Sequence, residues 1–228
     1  MNESALPGSR GEHWLQEWFG SAPRARAFYR KQVLARLTPA MRDFIAEQEM
    51  FFLATADGNG ECDSSFRAGE KGFIRTLDPG TLLYPEYRGN GVHSSLGNLL
   101  ENPHLALLFI DFFRAGVGLH VNGRAAICTA DELSHMGRLP TAGPGITGVA
   151  AARPVEAWVL IEVVEAYIHC SKHIPRLRKC PKEIDWGTDD TQKKGGDYFQ
   201  ARDCDRPWAP AGGHDPSAAE MPPIPAPG

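Results

Sequence analysis

Hydrophobic and polar positions change period along this chain, from a helical spacing before residue 50 to alternation typical of strands over most of the remaining length. FFLATA (51–56), ECDSSFRA (61–68), FIRTLD (73–78) and TLLYPEY (81–87) each run for strand length and stop at turn residues. The DGNG between the first two favours a hairpin through its Asp-Gly and Asn-Gly steps. Between the second two, Pro79 and Gly80 occupy the central positions of a turn, which predicts type II. LALLFIDF, GLHVNGRAAICT and EAWVLIEVVEAYIHC read as three further strands, with Gly123 as a bulge. Hairpins without regular alternation of strands and helices argue for a barrel or sandwich over a doubly wound sheet.

Helical patterns flank these strands. One covers Arg24 to Leu37, and another opens at Thr38-Pro39, where Thr caps and Pro takes the first helical position; Phe44, Ile45 and Gln48 then face inward or toward a partner. A short helix over Val92 to Glu101 ends before Asn102-Pro103, because Pro disfavours helix in the residue preceding it. The expected organisation is a helical extension (1–50), a strand-rich domain (51–180) and a Pro/Gly-rich, partly disordered tail (181–228). Leu139 to Pro154, small, apolar and rich in Gly and Pro, reads as a flexible loop or a lid. In the tail Trp186, Tyr198, Phe199 and Trp208 are the residues expected to dock on something.

Composition removes several function classes. The tail carries five Lys or Arg against nine Asp or Glu and accounts for the whole net charge of −4. Neither part has the basic stripe that holds a nucleic-acid backbone. No apolar run approaches the roughly 20 residues that span a bilayer, and MNESALPGSRGEHW lacks the blocks of a secretory signal, so a cytoplasmic protein is expected. Five cysteines without CxxC spacing make a disulfide framework improbable.

The chemistry concentrates between Tyr84 and Asp111. Gly89, Asn90 and Gly91 let the backbone turn closely, and Ser94 and Ser95 fall in the first helical turn, where unsatisfied N–H groups attract anions. A phosphorylated cofactor is the expected guest. The loop has neither the Walker lysine nor GxGxxG spacing, and no Ser-His-Asp order sits on a nucleophile elbow. His169, Cys170 and His173 lie close together, but a strand end turns the first two to opposite faces, so no metal site is assigned. His120 reads as structural.

In order, FFLATADGNGECDSSFRAG, FIRTLD, TLLYPEYRGNG, SSLGNLLENPHLALLFID, NGRAAI and AYIHCSKHIPRL resemble the pyridoxamine-phosphate-oxidase-like, FMN-binding split-barrel superfamily, over Phe44 to Arg176. The likeness is to its general FMN-binding branch. It implies a mainly β (α+β) fold, a split β-barrel of about six to seven antiparallel strands with short flanking helices. It further implies a homodimer with FMN at the subunit interface, oxidoreductase activity on a small organic substrate, and oxygen or reduced nicotinamide as electron partner. The cofactor-binding residues expected on this basis are Ser65, Phe66, Arg67, Tyr87, Arg88, Ser94, Ser95, Asn98, Lys172 and Arg176, with His93 on the substrate side.

Phosphate falls to Arg67, Arg88, Ser94, Ser95 and Asn98, the ring to Tyr87 and Phe66, and Lys172 and Arg176 match an H-C-x-K-x-x-x-R pattern of the group. Two departures stand out. The vitamin B6 enzymes carry Arg-Lys where this chain has Ser94-Ser95, and the tail lacks their substrate-binding end, which argues against vitamin B6 as substrate. The rival readings are a haem-binding or haem-degrading protein, a flavin-binding module without turnover, and a deazaflavin in place of FMN.

Overall fold

The computed structural model describes residues 6–141, 155–181, 184, 188 and 190–206. Most of the Leu139–Pro154 segment, Trp186, Trp208 and the chain end lie outside them. The chain divides into two compact units, Met1–Cys180 and Pro181–Gly228.

The first unit opens with three helices, α1 (Arg10–Trp18), α2 (Ala22–Gln32) and α3 (Pro39–Ala46). Ser9 and Glu12 form a reciprocal capping box on α1. Thr38 accepts a hydrogen bond from the Met41 N–H and Pro39 opens α3, as the sequence predicts. α2 ends at Gln32, short of the expected Leu37, because Leu34 leaves the helix to pair with Ala166.

Seven strands come next: β1 (Met50–Ala56), β2 (Cys62–Ala68), β3 (Arg75–Asp78), β4 (Thr81–Tyr87), β5 (His104–Ile110), β6 (Gly118–Cys128) and β7 (Val155–His169). Helix α4 (Ser94–Glu101) lies between β4 and β5, and α5 (Ala130–His135), which the sequence did not suggest, comes after β6. All pairings are antiparallel, in the order β2-β1-β5-β6-β7-β4-β3. The sheet rolls until β4 faces β1, so that the Phe51 ring meets both Phe73 and Tyr84. This is the expected split β-barrel.

Alternation sets the core. Phe51 and Leu53, Leu105, Leu107 and Phe109, Leu119 and Val121, and Val159 and Ile161 point inward and form one buried cluster with Leu82 and Tyr84. A second, smaller cluster of Leu83, Cys128, Leu133 and Trp158 explains why β4 is apolar on both faces, since α5 covers the outer one. The opposite face of the sheet carries a continuous cross-strand row, Phe66, Phe52, Leu108, His120 and Tyr167, fixed by the registers of β2, β1, β5, β6 and β7. Phe66 and Phe52 are 54% and 38% exposed in it.

Two turns show how local chemistry resolves. Gly80 does not take positive φ, which rules out the type II turn; instead the Asp78 carboxylate accepts a hydrogen bond from the Gly80 N–H. The β6–β7 register shifts between Asn122 and Gly123, as expected of a bulge. A Cβ at Gly123 would collide with the Glu162 carbonyl oxygen and stand 2.8 Å from Ile161 Cγ2.

In the second unit, Asp197 accepts hydrogen bonds from the Ala201 and Arg202 N–H groups. The Tyr198 and Phe199 rings meet edge to face. The five cysteines are free. Among the described residues no helix is long and apolar enough to cross a membrane.

Gly123→Ala is expected to destabilise the protein by about 1–3 kcal/mol, because the colliding atom is backbone. Gly97→Ala, in α4 where a Cβ meets nothing within 4 Å, should stabilise it by about 0.5–1 kcal/mol. Urea denaturation midpoints of the two variants check both signs.

Candidate functional site

Strand β2 is an exception to the apolar interior. The face it turns inward carries Asp63, Ser65 and Arg67, while Cys62, Ser64 and Phe66 point out. Opposite this polar face stands the start of α4. Gly91, at φ +83°, and His93, at φ 55°, both adopt left-handed backbone to enter the helix, and the His93 side chain does not cap it. Between β2, the end of β4, the glycine loop and the first turn of α4 lies a cavity of about 390 Å³.

Two polar clusters furnish it. The Asp63 carboxylate accepts hydrogen bonds from Ser65 Oγ at 2.7 Å and from Ser95 Oγ at 3.0 Å, and the two hydroxyls are themselves 3.0 Å apart. Ser95 is buried. The Ser65 hydroxyl, then Ser95, Ser94 and the charge of Arg67, hold the Asp63 carboxyl below its usual range against the effect of burial. In the second cluster, Arg67 Nε donates to Glu86 Oε2 at 2.9 Å, with both side chains largely buried. Burial pushes the Glu86 carboxyl up in spite of Arg67, so desolvation outweighs the pair's attraction at this atom. The Tyr84 phenol is pushed up as well, first by burial and then by the Glu86 charge. His93 Nδ1 lies 3.9 Å from Glu156 Oε2 at the rim.

The structure brings Ser65, Arg67, Tyr87, His93, Ser94 and Ser95 together around this cavity. Others go elsewhere. Asn98 donates through Nδ2 to Thr55 Oγ1 at 3.0 Å and ties α4 to β1. Phe66 lies on the outward face of β2 against the Phe52 ring, because strand alternation separates it from Ser65 and Arg67. Arg88 is exposed on the loop leaving β4, and its side chain does not line the cavity.

Lys172, in a 3₁₀ turn Ser171–His173, and Arg176 lie beyond the far end of β7, whose near end pairs with Tyr87. Fifteen residues of strand at about 3.3 Å each span up to roughly 45 Å, and neither side chain lines the cavity. At that far end His120 Nε2 and His169 Nδ1 are 2.8 Å apart. Among the described residues no group of three or more His, Cys, Asp or Glu is placed to hold a metal.

The acidic residues Asp63, Glu86 and Glu156 were not foreseen as part of the site. Asp63 was accessible to strand periodicity, since it shares a face with Ser65 and Arg67, and Glu86 likewise continues the inward row of Leu82 and Tyr84. Glu156 was not, because its approach depends on the bulge that shifts the β4–β7 register at Glu86/Tyr87.

Arg67→Ala leaves Glu86 largely buried without its cation and should cost about 2–4 kcal/mol, read by thermal or chemical denaturation. A carboxyl depressed in the folded state contributes stability that is present above its unfolded value near ~3.9 and is lost as pH falls through the lower, folded value. Asp63→Asn should therefore flatten the acid limb of the stability profile below about pH 4, measured as melting temperature against pH.

No curated protein matches the chain. Among solved structures, HupZ from Group A Streptococcus is 23% identical, with 58% of this chain and 93% of that chain covered at a TM-score of 0.40. An FMN-binding protein from Syntrophomonas wolfei is 14% identical over 75% and 100% of the two chains, TM-score 0.40. HutZ, the haem storage protein from Vibrio cholerae, is 16% identical over 58% and 94%, TM-score 0.38. Likenesses at this level decide nothing about the ligand. The family profile described as pyridoxamine 5'-phosphate oxidase, however, matches residues 37–170, more than half of the chain and every strand of the barrel. The chain belongs to the pyridoxamine 5'-phosphate oxidase family.

Proposed function

We propose that this protein is a homodimeric, cytoplasmic FMN-dependent oxidoreductase acting on a small organic substrate, with the flavin held where two copies meet. The observation that carries this reading is the hydroxyl-lined cavity at the start of α4. Ser65, Ser94 and Ser95 present oxygen-bound donors around the first turn of a helix whose N-terminus is not capped by the His93 side chain, and such a setting suits a phosphate monoester. Asp63, now hydrogen-bonded to that donor set, has to turn away before a phosphate takes its place. With that one change the donor set fits the group.

The dimer draws support from two features. Lys172 and Arg176 stand at the opposite end of β7 from the cavity, so they reach a flavin there only from a second copy. The outward row from Phe66 to Tyr167 offers five strands' width of largely apolar surface for that copy to cover.

A bound flavin would supply the hydride or electron acceptor, which is why the cavity needs no nucleophile or acid-base dyad of its own. The chain's residues bind and orient. Ser65, Ser94 and Ser95 would hold the phosphate, Arg67 stays fixed by Glu86, and Tyr87 and His93 border the side left to the substrate. Oxygen or a reduced nicotinamide would complete the electron balance.

The visible spectrum of the purified protein reconstituted with FMN tests the cofactor: two flavin bands and a dissociation constant in the micromolar range or below are expected. A Soret band with haem and no flavin binding would replace this reading with the haem-binding one. Turnover of reduced nicotinamide with a panel of acceptors then separates an enzyme from a flavin store. Phe66→Asp should shift sedimentation from dimer to monomer and weaken FMN binding at least tenfold without lowering the melting temperature of the monomer.

A further inference from the structure

The proposed phosphate seat already has an anion in it. Asp63 Oδ2 accepts from both Ser65 Oγ and Ser95 Oγ, at 2.7 and 3.0 Å, so one oxygen takes up the donors that a phosphate oxygen would use. The seat is built rather than incidental. Ser95 is 3% exposed in the first turn of an eight-residue helix, and β2 holds Asp63 in register with Ser65 on the same inward face. The Ser65, Ser95 and Ser94 hydroxyls keep this carboxyl ionised well below neutral pH.

Among the groups that favour the ionised carboxylate, Arg67 acts least. Arg67 is committed to Glu86, and Glu156 adds a further carboxylate to the lining. A dianion entering here meets like charge on the very donors it needs.

We propose that Asp63 is a specificity-determining residue that occupies the phosphate seat and weakens the grip on a ligand's phosphate. A ligand phosphate binds only by displacing the carboxylate, so the chain's affinity for FMN is set by that competition, while the unphosphorylated part of the ligand is indifferent to it. The proposal rests on the flavin reading only for what carries the phosphate.

The test compares the full-length protein with Asp63→Asn, Asp63→Ala and Glu156→Gln against FMN, riboflavin and inorganic phosphate. Asn keeps the shape and removes the charge; Ala empties the seat. Flavin affinity is read by fluorescence quenching, and phosphate binding by amide chemical shifts of Ser94 and Ser95. Both Asp63 variants should bind FMN at least tenfold more tightly than the natural protein and leave riboflavin unchanged within a factor of two.

Glu156→Gln, which removes a lining charge that makes no hydrogen bond to the serines, should gain less than threefold for FMN. Asp63→Asn should also show saturable phosphate shifts in the millimolar range where the natural protein shows none. Equal FMN affinity in natural protein and Asp63 variants, an equal gain for riboflavin, or an equal gain from Glu156→Gln would each overturn the proposal. If no variant binds flavin but Asp63→Asn binds phosphate, the flavin reading fails and the role of Asp63 stands. If neither flavin nor phosphate binds Asp63→Asn or the folded Asp63→Ala, the role of Asp63 fails too.

Discussion

Arg67 and Glu86 meet across the seam where the rolled sheet has no ladder of backbone hydrogen bonds to close it. β2 and β3 are the two ends of the strand order, so the barrel is held at this point by side chains, with Arg67 reaching from β2 to Glu86 on β4. The pair lies beside the interior rings of Phe51, Phe73 and Tyr84, so it borders the apolar core on one side and the polar cavity on the other. Its position explains the opposing effects on Glu86. Desolvation raises the carboxyl while the guanidinium lowers it, and the balance favours desolvation because the core is so close.

From that seam the site is built by alternation. A strand that pairs on one side only, and must face a gap instead of a neighbour, has no apolar partner for its inward residues. Asp63, Ser65 and Arg67 are what β2 places there; Asp63 and Ser65 bond each other and Ser95 at the start of α4, and Arg67 bonds Glu86. The glycine loop supplies the remaining constraint. Left-handed backbone at Gly91 and His93 leads the chain into α4, where Ser95 is buried against Ser65 of β2.

The same logic divides the surface. Inward positions of β1, β5, β6 and β7 fill the core, so their outward partners are free to vary, yet four registers in succession place Phe66, Phe52, Leu108, His120 and Tyr167 in one row. Where α2 leans on β7, Phe28 covers Tyr167 at its edge; the β2 end of the row remains open. Under the proposed function, that open end is where a second copy would sit.

The sequence alone determined the strands, the position of α4 and the glycine loop, because period-two alternation, Asn102-Pro103 and the DGNG step act over a few residues and leave a direct imprint on composition. It also carried the family, through the order of those segments. Distances along the rolled sheet were decided only in three dimensions. Phe66 and Ser65 are neighbours in sequence but face opposite sides of β2, and Lys172 and Arg176 are divided from Ser94 by the length of β7. The seating of Asp63 between two serines thirty residues apart, and the closing of Arg67 on Glu86, depend on how far the sheet curls. Curl is set by packing of the whole core and by the bulges in β7's pairings, of which only the one at Gly123 has a local signal in the sequence.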